Sequence, residues 1–190
     1  MSKLYQEGQN FDRQNYSDKS FNVGDYENCT FLECDFSNAV IASSNFIDCK
    51  FLNCNLSLAK LNQASFRVVH FQNCKMLGLH FEHCNPFLFE VSFDNCMLNL
   101  SSFYQLKMKK TIFNSCQLNE VDFTLTDLSQ SSFINCDLQN ALFENTNLEK
   151  ADLRGAFNFT INPNLNKIKK AKVSQVSLAG FLHVFDLNIE

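Results

Sequence analysis

The stretch FINCDLQNALFENTNLEKADL, residues 133–153, places Phe133, Leu138, Phe143, Leu148 and Leu153 at every fifth position. An α-helix repeats its stripe every 3.6 residues or so and a strand its face every 2, and neither accommodates a period of five. The period is not local. From Phe11 to Phe81 every fifth residue is Phe, Tyr, Ile, Leu or Met, and a second run from Leu88 to Leu153 continues in a frame displaced by two residues. Of the 21 phenylalanines, 15 sit on these centres, so the large side chains are placed by register rather than by composition.

Two residues before most centres stands a small side chain, as at Cys29, Cys34, Ala39, Ser44, Cys49 and Cys54, and later at Cys96, Ser101, Cys116 and Ala141. Alternation along extended backbone sends the centre and this small residue to one side and the residue between them to the other. A short fixed period held this long marks a solenoid whose units bury their apolar face against their neighbours. The cysteines give the length of one coil. Cys34, Cys54 and Cys74 are 20 apart, as are Cys96, Cys116 and Cys136, and the step of 22 from Cys74 to Cys96 absorbs the frame displacement. Four fives therefore close one square coil. At ~4.8 Å per strand, about seven coils predict a rod of roughly 35 Å with a core filled by side chains and no axial cavity.

The turns of such a rod need residues that tolerate tight corners. With only 5 Gly and 2 Pro, the chain must make them with Asn, Asp and Ser, which support turns through their own side chains. The opening MSKLYQEGQNFDRQ has no apolar h-region, and no segment approaches the ~20 apolar residues of a membrane span, so the expectation is a soluble chain in the cytoplasm, with no membrane partner.

Charge is unevenly spread along the chain. Residues 1–49 carry 8 acids against 3 bases, 50–111 carry 3 against 7, 112–166 carry 7 against 2, and 167–190 carry 2 against 4. Ordinary solubility accounts for such blocks, and so does a charged partner.

The units ADL at 151–153, CDL at 136–138, TNL at 146–148 and CNL at 54–56 resemble the A(D/N)LXX unit of the pentapeptide-repeat family. The resemblance spans roughly residues 9 to 153. It implies an all-β fold, a right-handed quadrilateral β-helix, here as a domain over 1–153 with a two-residue register break near 82–90. A C-terminal cap or dimerisation segment would follow over 154–190. The tail after ADLRGA is similar to the end of the quinolone-resistance (Qnr-like) branch, in which a short C-terminal helix joins two protomers. In this chain Ser174 is placed to cap a helix carrying Leu178, Phe181, Leu182 and Phe185, spaced i, i+3, i+4, i+7. Covering the open end of the solenoid within one chain explains that stripe as well as a homodimer interface does.

The Qnr-like resemblance further implies a non-enzymatic, DNA-mimicking protein that binds DNA gyrase or topoisomerase IV and protects it from fluoroquinolones. The surface carried over would be the acidic set Glu120, Asp122, Asp127, Asp137, Glu144, Glu149 and Asp152, next to inward centres and facing solvent. The alternative is an interaction scaffold for another protein. Direct nucleic-acid binding through Lys107, Lys109 and Lys110 is a third, weaker reading, since no exposed aromatics are interleaved with them.

No catalytic, cofactor or metal site emerges. The nine cysteines read as small buried fillers, without a CxxC pair. In HFEHC, residues 80–84, His80 and His83 should point outward and Cys84 inward, so the set does not converge on a metal. At the register break, Pro86 lacks a ladder donor, and the flanking Phe87 and Phe89 form either a tolerated bulge or an apolar binding knob.

Overall fold

The structure, a computed structural model, describes residues 4–17, 21–185 and 187. Every fifth residue turns a corner, and the backbone winds into rungs of four walls. Wall 1 is a parallel sheet of β2 (Asn10–Asp12), β4 (Thr30–Leu32), β6 (Lys50–Leu52), β8 (Val69–Gln72), β9 (Val91–Asp94), β10 (Ile112–Asn114) and β11 (Ser132–Ile134), each paired with the strand one rung away. Wall 4 carries β1 (Leu4–Glu7), β3 (Gly24–Glu27), β5 (Asn45–Ile47) and β7 (Ser65–Arg67). Walls 2 and 3 are held by isolated parallel bridges, for example Lys75↔Met97↔Gln117↔Asp137 on wall 2 and His80↔Ser102↔Asp122↔Leu142 on wall 3. Rungs continue past Leu153 through Asn147↔Lys167 and Asp152↔Lys172. This is the parallel β-solenoid that the period of five predicts.

Register brings like onto like, with Phe31 opposite Phe51 and Phe71 opposite Phe93. The rings stack in files. Phe31–Phe51, Phe93–Phe113 and Phe113–Phe133 lie 4.7, 5.2 and 4.9 Å apart and nearly parallel, while neighbouring files meet edge to face, as Phe103 and Phe113 do at 6.2 Å. Each such pair contributes about 0.5–1.5 kcal/mol beyond the burial of its area.

The small slot before each centre has a reason beyond size. Cys54 and Cys74 donate their thiols to the Phe31 and Phe51 carbonyls one rung away, both at 3.3 Å, and Thr126 and Ser131 donate hydroxyls to Phe103 and Met108 at 2.8 Å. These bonds satisfy carbonyls that the wall ladders leave over. All nine cysteines are free and buried, and burial pushes the Cys49 thiol up to about 12, which makes it a packing group rather than a nucleophile.

Asn and Asp serve the corners in two ways. The residue two after most centres adopts positive φ, as at Asn38 (58°), Asn53 (55°) and Asn140 (57°), and Asn tolerates that region well. Bulky residues hold the same corner where Asn is missing, including Leu58, Val68 and Leu125. The residue before the centre accepts from the backbone N–H two residues on, as Asp122 does from Thr124 at 2.8 Å.

The rod breaks register once. Two surplus residues cannot fit a rung of twenty, so residues 85–90 bulge outward from wall 4, and the ladder resumes when Glu90 N–H donates to the Phe66 carbonyl. Counting back in fives from Phe93 makes Leu88 a core centre, and the structure overturns this. Leu88 sits at the tip of a turn closed by Phe89 N–H on the Pro86 carbonyl, with φ of 56° and 62% exposed. Phe89 is the buried residue, edge to face with Phe66 and Phe81. A whole ring fills the empty place in the wall 4 file better than a leucine.

At the far end the expected helix is shorter than the sequence suggests. Helix α1 comprises Ala179–Leu182 and runs into a 3₁₀ turn, His183–Phe185. Ser174 caps the preceding turn, its hydroxyl accepting from Ser177 N–H at 3.2 Å, and α1 has no side-chain cap. The Gly180 carbonyl accepts from Ile161 N–H at 2.9 Å instead of extending the helix, which fastens α1 to the last rung. A Cβ at Gly180 would stand 2.4 Å from the Phe159 carbonyl oxygen, so only glycine allows this approach. Among the described residues no helix is long and apolar enough to cross a membrane.

Candidate functional site

With the core closed to ligands, chemistry is left to the outward columns, one set per wall. The bridge ladders assign each of the seven acids of residues 112–166 to a wall. Asp137 belongs to the wall 2 ladder, Asp122 to wall 3, Asp127 to the wall 4 ladder Lys107↔Asp127↔Asn147↔Lys167, and Asp152 to the wall 1 ladder Ser132↔Asp152↔Lys172. Glu120, Glu144 and Glu149 follow the centres of walls 2, 3 and 4 respectively. The seven therefore surround the rod instead of forming one patch. Four of them, Glu120, Asp122, Asp137 and Glu144, share the adjoining walls 2 and 3, whose segments 96–105, 116–125, 136–145 and 156–165 contain no lysine or arginine.

The other three acids lie among cations. Asp152 is bonded by Arg154, Nη2 to Oδ2 at 2.6 Å, with Lys172 at 3.9 Å, and the Arg154 guanidinium holds its carboxyl below the usual carboxylate range. Asp127 meets Lys109 at 3.5 Å and accepts from Asn147 at 3.0 Å. Its partial burial opposes ionisation, yet the hydrogen bonds from Ser129 and the Lys109 charge leave its pKa lowered. Several of the acids also have local structural work. Asp122, Asp127, Asp137 and Asp152 each accept from the backbone N–H two residues on.

Sequence blocks concealed a second feature. Wall 4 after the bulge carries Lys107, Lys109 and Lys110 on one rung, Lys150 two rungs on, and Lys167, Lys169 and Lys170 on the third, all exposed. Only Asp127 and Glu149 oppose them on that wall. Lys150, Lys167, Lys169 and Lys170 were missed because two of the three rungs fall in other charge blocks. The signal was available, since 110, 150 and 170, like 107 and 167, differ by multiples of the 20-residue coil.

Beside the first of these rungs the bulge leaves an open groove of about 770 Å³. Val68, Leu88, Phe89, Val91, Lys107, Lys110 and Ile112 line it, together with the exposed Glu90. Of the two phenylalanines flanking the break only Phe87 projects, 62% exposed, with the Arg67 guanidinium 5.4 Å from its ring centre.

The apolar stripe of the tail divides. Phe181 is buried against Phe159 at 5.2 Å and covers the end of the solenoid, whereas Leu178 and Phe185 are exposed and Leu182 is half-buried. In HFEHC, His80 and His83 stack outside the rod at 5.4 Å, His80 meets Glu82 at 2.8 Å, and Cys84 is buried. No cluster of three or more metal-ligating side chains occurs among the described residues.

Family models described as pentapeptide repeat region and pentapeptide repeats match residues 86–156 and residues 27–57 and 49–85. No curated protein matches the chain by sequence. Among solved structures, a trypsin-treated point variant of QnrB1, a plasmid-mediated fluoroquinolone resistance protein, is similar with 17% identity and a TM-score of 0.63, over 99% of this chain and 98% of that one. A second QnrB1 variant has 17% identity and a TM-score of 0.48 over the whole of both chains. HetL, a pentapeptide repeat protein involved in heterocyst differentiation regulation from the cyanobacterium Nostoc sp. strain PCC 7120, has 15% identity and a TM-score of 0.41, over 90% and 85%. At 17% identity the likeness to the first of these is one of fold.

Proposed function

The chain belongs to the pentapeptide-repeat family, and on that premise we propose that it is a non-catalytic, protein-binding rod. Its partner in this reading is a type II topoisomerase, DNA gyrase or topoisomerase IV, engaged as a Qnr-like protein through walls 2 and 3. The observation that carries the reading is the segregation of charge. Glu120, Asp122, Asp137 and Glu144 lie together on two adjoining walls of a rigid rod, which suits a surface made for the passage of duplex DNA. The acids among lysines, Asp127, Glu149 and Asp152, are left out of that surface.

Similarity in fold to QnrB1 along nearly the whole chain supports the reading, and a core filled by side chains leaves no axial cavity. The exposed Leu178 and Phe185 suit a homodimer contact at the C-terminal end, with Phe181 reserved for the chain's own cap. The test is a supercoiling assay with purified gyrase, with and without a fluoroquinolone. Restored supercoiling in the presence of drug is the expected result; neither rescue nor inhibition at micromolar protein would sink the topoisomerase reading. In that case an interaction scaffold for a different protein partner replaces it, a reading the lysine-lined wall favours. Light scattering on the full chain and on one ending near residue 166 tests the dimer, with an unchanged mass per particle relative to chain length counting against it.

A further inference from the structure

The topoisomerase reading leaves wall 4 without a task, although it holds the densest charge on the rod and the groove beside the bulge. Lys107 and Lys110 border that groove, Lys150 lies two rungs along, and Lys167 and Lys170 stand on the third, about 14 Å away at the spacing of stacked strands. None of these five makes an ion pair among the described residues. Lys109 is the exception, drawn toward Asp127 at 3.5 Å. With Lys169, which likewise makes no ion pair among the described residues, six unpaired cations on one wall are a standing attraction for a polyanion.

The groove selects which polyanion. Its accessible side chains near the lysines include the aliphatic Leu88 and Ile112, 62% and 50% exposed, beside the polar His70, Glu90 and Ser92. Phosphodiester backbones have nothing to gain from such a lining, and no arginine stands on wall 4 after the bulge to grip phosphate in a fork. A row of exposed aromatics for stacking bases is lacking there as well, among the described residues. On the rungs beyond the groove, wall 4 is joined by the ladder Lys107↔Asp127↔Asn147↔Lys167, so there a partner is recognised by side chains rather than by strand addition.

We propose that this groove and the adjoining lysines hold an acidic segment of a partner protein. The segment lies extended across the wall, seats an apolar side chain between Leu88 and Ile112, and lays carboxylates against Lys107, Lys110 and Lys150. The two-residue bulge then has a use: it supplies the apolar side of a groove that an unbroken rod would not possess.

Fluorescence anisotropy on the full chain at physiological salt tests this, with a labelled peptide of alternating Glu and Leu, a labelled oligo-Glu of the same length and a labelled DNA duplex. The Glu–Leu peptide is expected to bind more tightly than either of the others. Lys107→Glu with Lys110→Glu should weaken it roughly tenfold, and Leu88→Ser should weaken it by a smaller factor, roughly threefold. These positions are exposed, and an unchanged far-UV spectrum of each variant establishes that the rod is intact. Tighter binding of the duplex would overturn the proposal and make the wall a nucleic-acid surface. Equal binding of oligo-Glu, or full binding by the charge-reversed variant, would also overturn it. Topoisomerase is absent from every arm, so this result and that of the supercoiling assay are independent.

Discussion

Walls 2 and 3 after the bulge present Glu120, Asp122, Asp137 and Glu144, whereas wall 4, over the four rungs from Lys107 to Lys170, presents seven lysines against two acids. Both surfaces rise from one core and one repeat. Inward centres and small slots are constrained by packing, and the residue before each centre by turn chemistry, whereas the remaining outward positions are held by few contacts, such as Asn73 on Asn53 or Lys109 on Asp127. A column of outward positions can therefore take either sign without cost to the fold, and the lesson of the contrast is that function in such a rod is written column by column.

The comparison breaks most severely if the shared core is opened. Phe103 is fully buried between Phe81 and Phe123, with ring centres at 4.6 and 5.5 Å. Phe103→Ala should cost about 3–5 kcal/mol in urea unfolding and should disable acidic and basic walls together. Loss of one wall's binding with the other intact would mean that the walls do not depend on a common core.

Charge reversal sharpens the contrast. Glu120→Lys with Glu144→Lys should raise the protein needed for any effect on gyrase roughly tenfold, about 1.4 kcal/mol, while Lys107→Glu with Lys167→Glu should change it less than about twofold. Equal effects in the supercoiling assay would show that net charge rather than wall identity matters.

A smaller change tests whether the inward slots are as constrained as the outward ones are free. Ser44 is fully buried and its hydroxyl has no partner, unlike Ser131, which donates to Met108. Ser44→Ala should stabilise the rod by about 1 kcal/mol, read as a higher urea midpoint, whereas Ser131→Ala should destabilise it by a similar amount.

The smallest expected effect is that of pH. Asp127 and Asp152 both have folded-state pKa values below the ordinary range. Their contribution to stability is complete above the unfolded value, about 3.9, and is lost as pH falls through the lower folded values. Asp152→Asn should therefore flatten the decline of the thermal midpoint at acid pH, and an unaltered acid profile would remove Asp152 from the account.

Much of the fold was legible. Stacking of Cys54 on Cys74 and of Phe93 on Phe113 follows from the 20-residue spacing, because a closed coil of constant length must superpose equal positions. The bulge was visible as a count of 22, but its interior was not: Leu88 kept the register and Phe89 took the core, a choice made by ring packing on Phe66 and Phe81. The tail misled in a similar way. Its i, i+3, i+4, i+7 stripe is real, yet Phe181 turns inward on Phe159 while Leu178 and Phe185 stay exposed, since the Gly180 carbonyl is bound to Ile161 before a longer helix can form.

The acidic set was legible as residues and illegible as a surface. Blocks along the chain assigned opposite signs to Lys107 and Asp127, which the fold makes neighbours. By itself the sequence determined the period, the inward files and the turn chemistry, because each depends on spacing between residues close in the chain. Only the tertiary structure decided which charges share a wall and which phenylalanine fills the break, because those depend on residues one or more whole coils apart being brought within a few ångströms.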